Sequence, residues 1–348
     1  MIVKTLRNEP PDVESANGPS RLVDTFGRVH DSLRISVIDR CNIRCFYCMP
    51  EQASDFFPKE QLLTFDEITR AVRLFAEVGI RKIRLTGGEP LLRPDLHLLV
   101  AAISEIDRIE EIALTSNGIL LPRFAHDLKN AGLNRLNISL DTLNEETFQR
   151  VTRRAGVHRV IAGIDHAINI GFDEIRLNAL AIRGLTEAEV IPLVEFARRR
   201  NLTIRFIEFM PLDGDKSWRD QNVLTGAEVL KIVEERFGTL HPTSRPDASQ
   251  PSIDYSFDDG SGHVGFINPV SQPFCNTCNR LRLTADGGLR NCLFSDENWD
   301  LGHMLRSQAS DREIMQTMRA SVLAKQAGHL ISHLGFQQPA KAMYQIGG

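Results

Sequence analysis

The sequence has little that would place it on a membrane or on nucleic acid. It contains no apolar run near the roughly 18 residues that a membrane-spanning helix requires. Its 41 lysines and arginines are balanced by 45 aspartates and glutamates, so no global basic field attracts nucleic acid or an anionic membrane. The stretch Met1–Asn17 also lacks the apolar core of a signal peptide. We therefore expect a soluble, cytoplasmic protein in which residues 1–25 form a mobile tail.

Cysteine is scarce as well, with six residues in a chain of 348, yet the six fall into two groups of three. The groups are Cys41, Cys45 and Cys48 (the first triad) and Cys275, Cys278 and Cys292 (the second triad). A disulfide framework is typical of short secreted chains, and this chain is long. Thiols spaced so closely can turn inward together only around a small object, such as a zinc ion or an iron–sulfur cluster.

The two metal interpretations differ in the fourth ligand. Structural zinc requires four protein ligands, and neither triad has a histidine within its loop. A cubane cluster held by three cysteines keeps one iron without a protein thiolate, which suits catalysis better than a structural role. From the cysteines alone, both interpretations stay open.

Strand and helix patterns alternate over roughly the first 240 residues, where six apolar segments are each followed by a pattern of helical period. The predicted strands are Leu33–Ile38, Lys82–Thr86, Glu111–Thr115, Arg135–Ser139, Glu174–Ile182 and Thr203–Phe209. Because consecutive parallel strands need a returning crossover, this alternation predicts an α/β fold with a parallel sheet. Six units are two short of an eight-stranded barrel, so we expect an incomplete (β/α)6 barrel.

Beyond the sixth helix pattern, short apolar runs are separated by turn residues, which predicts a C-terminal antiparallel β-containing extension. A hairpin is indicated where Leu281–Thr284 and Leu289–Leu293 flank Asp286-Gly287-Gly288. Such a hairpin returns the third cysteine of the second triad toward the other two. The predicted domains are residues 26–240 for the partial barrel and 241–348 for the domain with the second metal site.

Polar and glycine-rich residues follow the ends of the predicted strands. Gly87-Gly88-Glu89-Pro90 comes after the second strand, Thr115-Ser116-Asn117-Gly118 after the third, Ser139-Leu140-Asp141 after the fourth and Met210-Pro211 after the sixth. Because ligands gather at the carboxyl edge of parallel strands, these residues are expected on one rim with the first triad.

Two motifs carry a resemblance to known proteins. The spacing Cys41-x3-Cys45-x2-Cys48, with Tyr47 before the last cysteine and Gly-Gly-Glu-Pro after the second strand, resembles the radical S-adenosylmethionine superfamily. The second triad, with Asn279-Arg280-Leu281-Arg282 and a terminal Gly347-Gly348, resembles the GTP 3′,8-cyclase family of molybdenum cofactor biosynthesis within it. The likeness extends from about Phe26 to the last residue.

The resemblance implies a reaction and its participants. The cofactors would be two [4Fe-4S] clusters and S-adenosylmethionine, and the substrate would be GTP. A 5′-deoxyadenosyl radical would remove hydrogen from ribose C3′, and C3′ would attack guanine C8 to give (8S)-3′,8-cyclo-7,8-dihydroguanosine 5′-triphosphate. The implied partners are a reducing electron donor of flavodoxin or ferredoxin type, the downstream cyclic pyranopterin monophosphate synthase and a second copy in a homodimer.

The resemblance also assigns roles to matching positions, with the six cysteines as cluster ligands. S-adenosylmethionine contacts would be Tyr47, Gly88, Glu89, Ser139 and Met210. Substrate contacts would be Arg34, Arg84, Thr115, Arg176, Arg280, Leu281 and Arg282. Catalytic roles would fall to Arg34, Gly347 and Gly348. Arg176 stands where the family usually has lysine, which keeps the charge but changes the donor geometry.

The sequence contains no Gly-x4-Gly-Lys-Ser/Thr loop to hold phosphates, and this absence favours arginines as triphosphate ligands. Arg34, Arg84 and Arg176 fall on predicted strands whose alternate residues point into a barrel. Three other interpretations stay open. They are a radical S-adenosylmethionine enzyme with an auxiliary cluster that acts on a peptide, a two-cluster electron carrier, and a non-enzymatic binding protein stapled by metal.

Overall fold

The structure is a computed structural model that describes residues 21–52, 56–245, 247–329, 331 and 336–347. Its strands are β1 (Leu22–Val23), β2 (Val29–His30), β3 (Ser32–Ser36), β4 (Lys82–Thr86), β5 (Glu111–Ser116), β6 (Arg135–Ser139), β7 (Glu174–Ala181), β8 (Thr203–Glu208), β9 (His241–Pro242), β10 (Ser252–Ser256), β11 (His263–Ile267), β12 (Arg280–Leu283), β13 (Gly288–Arg290) and β14 (Trp299–Asp300). Its α-helices are α1 (Phe65–Glu77), α2 (Leu96–Ser104), α3 (Leu121–Asn130), α4 (Glu145–Thr152), α5 (Val157–Ile170), α6 (Val190–Arg199), α7 (Gly226–Phe237), α8 (Leu301–Arg306), α9 (Asp311–Leu323) and α10 (Met343–Ile346). Within the described ranges, no helix has the length and apolar character needed to span a bilayer.

The six predicted strands form the centre of one large sheet. Strands β3 to β8 are hydrogen-bonded in chain order, and every neighbouring pair is parallel. At least one helix follows each of these strands, since a parallel neighbour can be reached only through a crossover. The predicted α/β class is confirmed.

The C-terminal segment does not form a purely antiparallel extension. Strand β11 pairs in parallel with β8, and β12 pairs in parallel with β3, at opposite sides of the central six strands. Antiparallel strands follow only beyond them: β10 and β9 next to β11, and the predicted hairpin partner β13, then β14, next to β12. The alternating pattern of a strand shows which face of the sheet each residue occupies. It does not show which other strand lies beside it, so this mixed sheet could not be predicted.

Local sequence explains where the helices begin and which face they bury. At α1, Thr64 Oγ1 accepts a hydrogen bond from Glu67 N, and the Glu67 carboxylate accepts one from Thr64 N, which closes a capping box. Ile68, Val72 and Phe75 then recur at helical spacing and are all buried in the main core. The apolar face of α1 therefore covers one face of the strands, whose other face remains for the cavity described below.

Part of the segment that was predicted as a mobile tail is folded. Residues 1–20 lie outside the described part of the chain, but β1 pairs with β2. Leu22 is 1% exposed, and its N–H donates to Val78 O at 3.0 Å. The prediction of a mobile segment was therefore wrong for residues 21–25, because burial of an apolar side chain ties this stretch to the end of α1.

Candidate active site

A cavity of about 580 Å³ lies against one face of the parallel strands, a size usual for small-molecule sites. Polar side chains at alternate positions line it, because successive residues of a strand point to opposite faces. Strand β6 contributes Arg135, Asn137 and Ser139, and β7 contributes Glu174, Arg176 and Asn178. Over the whole lining, eight arginines and lysines face four carboxylates, although the complete chain is negatively charged.

Both cysteine triads line this same cavity. All six cysteines are free thiols and are partly buried. Among the residues that the structure describes, no three His, Cys, Asp or Glu side chains are grouped closely enough for a single metal ion. The structure thus brings the two triads together around one space, as predicted.

Three arginines on neighbouring strands, Arg282, Arg34 and Arg84, form what we call the arginine row. The parallel register pairs Arg282 with Arg34 and Arg34 with Arg84, so adjacent members start about 4.8 Å apart. Arg34 and Arg84 have no hydrogen-bond or ion-pair partner among the described residues. Burial, followed by the charge of Arg282, holds the pKa of Arg34 well below its ordinary value. Burial, and after it the positive charge of Arg34, likewise hold the pKa of Arg84 well below its ordinary value.

The arginines further along the sheet already have partners. Arg205 donates to the Asp254 carboxylate at 2.6 and 3.2 Å, and Arg135 Nη1 donates to Glu111 at 3.0 Å. Arg176 is ion-paired with Glu174, while burial and the charge of Arg205 lower its pKa to about 10. A negatively charged ligand would therefore find uncompensated positive charge mainly at the arginine row.

Gly88, which follows β4, positions the loop of the first triad. Gly88 N donates to Ile38 O at 2.7 Å, and Glu89 N donates to Arg40 O at 2.8 Å, which extends the β3–β4 pairing up to the first cysteine. A Cβ atom on Gly88 would lie 2.6 Å from Asp39 O, and closer still to Arg40 O. Only glycine permits this approach.

The thiols of the two triads lie in opposite electrostatic surroundings. Burial, then the Glu89 carboxylate, raises the pKa of Cys41 to about 11, and burial raises the pKa of Cys48 to about 12. At Cys278 burial acts in the same direction, but the nearby Arg280 and Lys325 outweigh it and lower the pKa to about 6. The first triad thus neighbours carboxylates, and the second neighbours cations.

The C-terminal segment enters the cavity region from the side of the first triad. Tyr344 packs with Met49 in a small apolar cluster that also contacts Cys48, and Arg282 Nη1 donates to Gly347 O. Gly347 has φ +77°, and a Cβ there would lie 2.9 Å from both Ser36 Cβ and Thr86 Oγ1. A glycine is therefore required at this end of the arginine row.

Comparisons with known proteins agree with this geometry. The radical SAM superfamily model matches residues 35–197, and the molybdenum cofactor synthesis C model matches residues 202–331. A GTP 3′,8-cyclase from Rhodopirellula baltica is 51% identical over 333 residues, which cover 95% of this chain and 93% of that protein. This chain belongs to the GTP 3′,8-cyclase family. A second member, from Syntrophomonas wolfei, is 41% identical over 94% of this chain and its own full length.

A solved structure supports the fold at lower sequence similarity. Streptococcus suis SuiB, crystallised with the precursor peptide SuiA, matches with a TM-score of 0.60 at 14% identity. The match covers 90% of this chain and 74% of SuiB. At this identity the likeness shows the fold alone.

Most residues that the sequence assigned to the site lie on the cavity wall of this family member. They are the six cysteines with Arg34, Tyr47, Arg84, Gly88, Thr115, Ser139, Arg176, Met210, Arg280 and Arg282. Gly347 contacts the wall through Arg282, and Gly348 lies outside the described residues.

Two assigned residues lie behind the wall. Leu281 is fully buried in the main core, because its neighbours Arg280 and Arg282 take the opposite face of β12. The Glu89 carboxylate accepts hydrogen bonds from Leu91 N, Ser116 Oγ and Asn117 N at 2.8–3.0 Å. Its described contacts thus join the ends of β4 and β5, and contact with S-adenosylmethionine stays a prediction.

Sequence reasoning missed several polar residues of the wall. Arg135, Asn137 and Asn178 are examples, and each shares the alternation of a residue that was predicted on the same strand. That alternation was available in the sequence and could have identified them. Asp141 was expected on this rim, but its partner was not: Asp141 Oδ2 accepts a hydrogen bond from the Tyr47 hydroxyl at 2.7 Å, a contact between distant segments that only the fold reveals.

Replacing Gly88 by alanine should loosen the first triad selectively. The added Cβ must push away the backbone just before Cys41, at a cost of about 1–3 kcal/mol. We expect iron bound by the first triad to be lost, measured as a fall in iron per chain after anaerobic reconstitution. Gly184→Ala is the control: φ is positive there (+72°), so alanine strains the backbone, but no atom lies within 4 Å of the added Cβ. Full iron content in Gly88→Ala would contradict the proposed contact.

Proposed function

We propose that this chain converts GTP to (8S)-3′,8-cyclo-7,8-dihydroguanosine 5′-triphosphate in molybdenum cofactor biosynthesis. The observation that carries the proposal is the arginine row, in which no guanidinium group has a carboxylate partner among the described residues, on the wall that both cysteine triads share. Uncompensated positive charge inside a cavity favours a polyanionic ligand, and a nucleoside triphosphate provides one. Family membership supports GTP as that ligand.

The residues of each triad fit an iron–sulfur cluster. Thiolates are the preferred ligands of such clusters, and three of them leave one iron free for another ligand. The first triad follows β3 directly and matches the radical SAM region. We extend the proposal to a second [4Fe-4S] cluster on Cys275, Cys278 and Cys292, because these thiols line the same cavity.

Residues around the first triad are suited to bind S-adenosylmethionine. When bound, the first cluster and S-adenosylmethionine supply the 5′-deoxyadenosyl radical that starts the reaction. Tyr47, Gly88, Ser139 and Met210 line the cavity and would orient the cofactor. Tyr47 is itself fixed by its hydrogen bond to Asp141, whose Oδ1 accepts from Leu180 N at 2.8 Å.

The arginine row would bind the triphosphate. Each guanidinium presents paired N–H donors that match phosphate oxygens, so three in register can span several phosphate groups. Arg176 and Arg280 flank the row, and Thr115 adds a hydroxyl to the same wall. Arg282 also donates to Gly347 O, which would keep Gly347 close to the reacting ribose.

The same proposal covers the architecture. We propose that residues 26–240 form an incomplete (β/α)6 barrel and that residues 241–348 carry the second cluster. Strand order supports this, because β3 to β8 run in sequence while the C-terminal segment holds all three cysteines of the second triad. An incomplete barrel leaves the face of its sheet open to a substrate that spans both triads.

Further partners follow from the family resemblance. We propose a reducing electron donor of flavodoxin or ferredoxin type, because the radical chemistry consumes an electron from outside the chain. The product would pass to a cyclic pyranopterin monophosphate synthase.

We also propose that the active form is a homodimer. Size-exclusion chromatography with light scattering tests the oligomeric state, and a monomer of 39.1 kDa would contradict the dimer.

The direct test of the proposed function is an anaerobic assay. Reduced, reconstituted protein is incubated with S-adenosylmethionine and with each of the four nucleoside triphosphates in turn. We expect 5′-deoxyadenosine and a cyclised product with GTP, detected by mass spectrometry, and no cyclised product with the others. About eight irons per chain should accompany this activity, given four per cubane. Two zinc ions per chain and no cyclised product would refute the proposal.

A further inference from the structure

Two cationic side chains point at one sulfur of the second triad. Arg280 Nη2 lies 3.4 Å from Cys278 Sγ, and Lys325 Nζ lies 3.7 Å from the same atom. Lys325 is 4% exposed, so its ammonium group is almost removed from water. Within the described chain, it donates hydrogen bonds to this sulfur and to Arg280 O, the latter at 2.9 Å. A buried ammonium group is costly unless negative charge compensates it, and the sulfur of Cys278 is the group placed to do so.

A separate network fixes the segment that follows Lys325. Arg28 Nη2 donates to Gln326 O at 2.7 Å, and Nη1 donates to Ala327 O at 2.9 Å and to Cys275 O at 2.8 Å. Arg28 is itself held by Asp24, at 2.5 Å from Nε. One buried guanidinium therefore ties the backbone after Lys325 to the backbone of the second triad. Lys325 is held in place rather than free to swing into solvent.

Among the described residues, no cationic side chain donates a hydrogen bond to a sulfur of the first triad. Cys41 receives a neutral donor, Asn117 Nδ2, at 3.8 Å. Burial raises the pKa of Cys41 and of Cys45, and so do the carboxylates of Glu89 and Asp141, respectively, while the opposite effect of Arg44 on Cys41 is smaller than that of Glu89. The two triads therefore differ in the sign of the charge placed near their ligand sulfurs, although they line one cavity.

We propose that Lys325 is a positioning and tuning residue that, together with Arg280, raises the reduction potential of the cluster held by the second triad. Positive charge and N–H donors at a ligand sulfur stabilise the electron-richer state of an iron–sulfur cluster. The inference rests on the proposed function, because it requires a cluster at the second triad. It goes further by assigning a role to a lysine that no motif marks.

The test is a redox titration of the reconstituted full-length protein, followed by electron paramagnetic resonance. The second cluster is identified by repeating the titration in a chain with Cys41, Cys45 and Cys48 all changed to alanine. Lys325→Met should shift the midpoint potential of the second cluster to a more negative value and leave the first unchanged. Lys325→Arg should keep the wild-type potential, because the cation is retained. Lys59→Met removes an exposed lysine charge elsewhere and should change neither potential.

Iron content separates the possible failures. About eight irons per chain with an unchanged or more positive potential in Lys325→Met would overturn the tuning role alone. About four irons in the wild-type chain would overturn the second cluster and this inference together. Lys325→Gln provides a second neutral variant in case methionine disturbs packing. Loss of the second cluster from both neutral variants would show that Lys325 is needed for assembly and would also overturn the tuning role.

Discussion

Replacing Cys45 by serine should abolish the formation of 5′-deoxyadenosine. Cys45 is the central ligand of the first triad, and serine oxygen is a poor substitute for a thiolate at iron. Without a cluster there, the chain has no means of cleaving S-adenosylmethionine, so the expected loss is at least 1,000-fold, on the order of a removed catalytic centre. The measurement is 5′-deoxyadenosine per chain under reducing conditions. Continued formation by the variant would mean that the first triad is misassigned.

The matched variant Cys278→Ser should give a different pattern. The second triad lines the same cavity but neighbours the arginine row rather than the S-adenosylmethionine residues. We expect S-adenosylmethionine cleavage to continue in part and the cyclised product to disappear. Iron content and thermal stability are measured alongside, so that loss of the fold is recognised. A normal yield of cyclised product would remove the second triad from the guanine site.

Changing Arg34 or Arg84 to methionine should weaken GTP binding and stabilise the ligand-free protein at the same time. A charge-assisted hydrogen bond contributes about 1.5–3 kcal/mol, so each change should raise the Kd for GTP roughly 10- to 150-fold. Affinity for guanosine, which lacks phosphates, should change little. Because burial and mutual repulsion lower the pKa of both arginines, removing either one should raise the melting temperature.

Arg205→Met is the control for this pair of effects. Arg205 lies on the same wall, but it is joined to Asp254 by two hydrogen bonds and is 5% exposed. Breaking that pair leaves a carboxylate without its partner, and the melting temperature should fall, since such losses cost about 3–5 kcal/mol. Anaerobic calorimetry with GTP and guanosine, and thermal unfolding, measure both effects. A lower melting temperature in Arg34→Met would indicate that Arg34 is structural.

The sequence predicted the central part of the fold well because the pattern there is repetitive. Lys82–Thr86 and Arg135–Ser139 have the observed bounds, and the Thr64–Glu67 capping box marks the start of α1. A helix was expected between β4 and β5, where α2 lies, but without bounds, and α4 was not predicted. In α2 the apolar residues are spread around the helix rather than along one stripe, and α4 has only eight residues, so neither shows a clear helical period.

The candidate site was predicted as far as chemistry depends on local spacing. The cysteine motifs and the arginines on alternating strand positions lie where they were expected. The partners of these residues were not predictable, because they come from distant parts of the chain. Asp141 meets Tyr47 across 94 positions, and Lys325 meets Cys278 across 47. Such contacts depend on which strands are neighbours, and a sequence pattern does not encode that.

The positions of β11 and β12 have a consequence for how the chain can be divided. Both strands come from the C-terminal segment, yet they cover the two outer strands, β8 and β3, of the preceding six. A fragment ending near residue 240 would leave the backbone N–H and C=O groups of both outer strands bare, and bare strands template aggregation. Expressed alone, that fragment should precipitate, because its two outer strands need β11 and β12 of the C-terminal segment to complete their pairing.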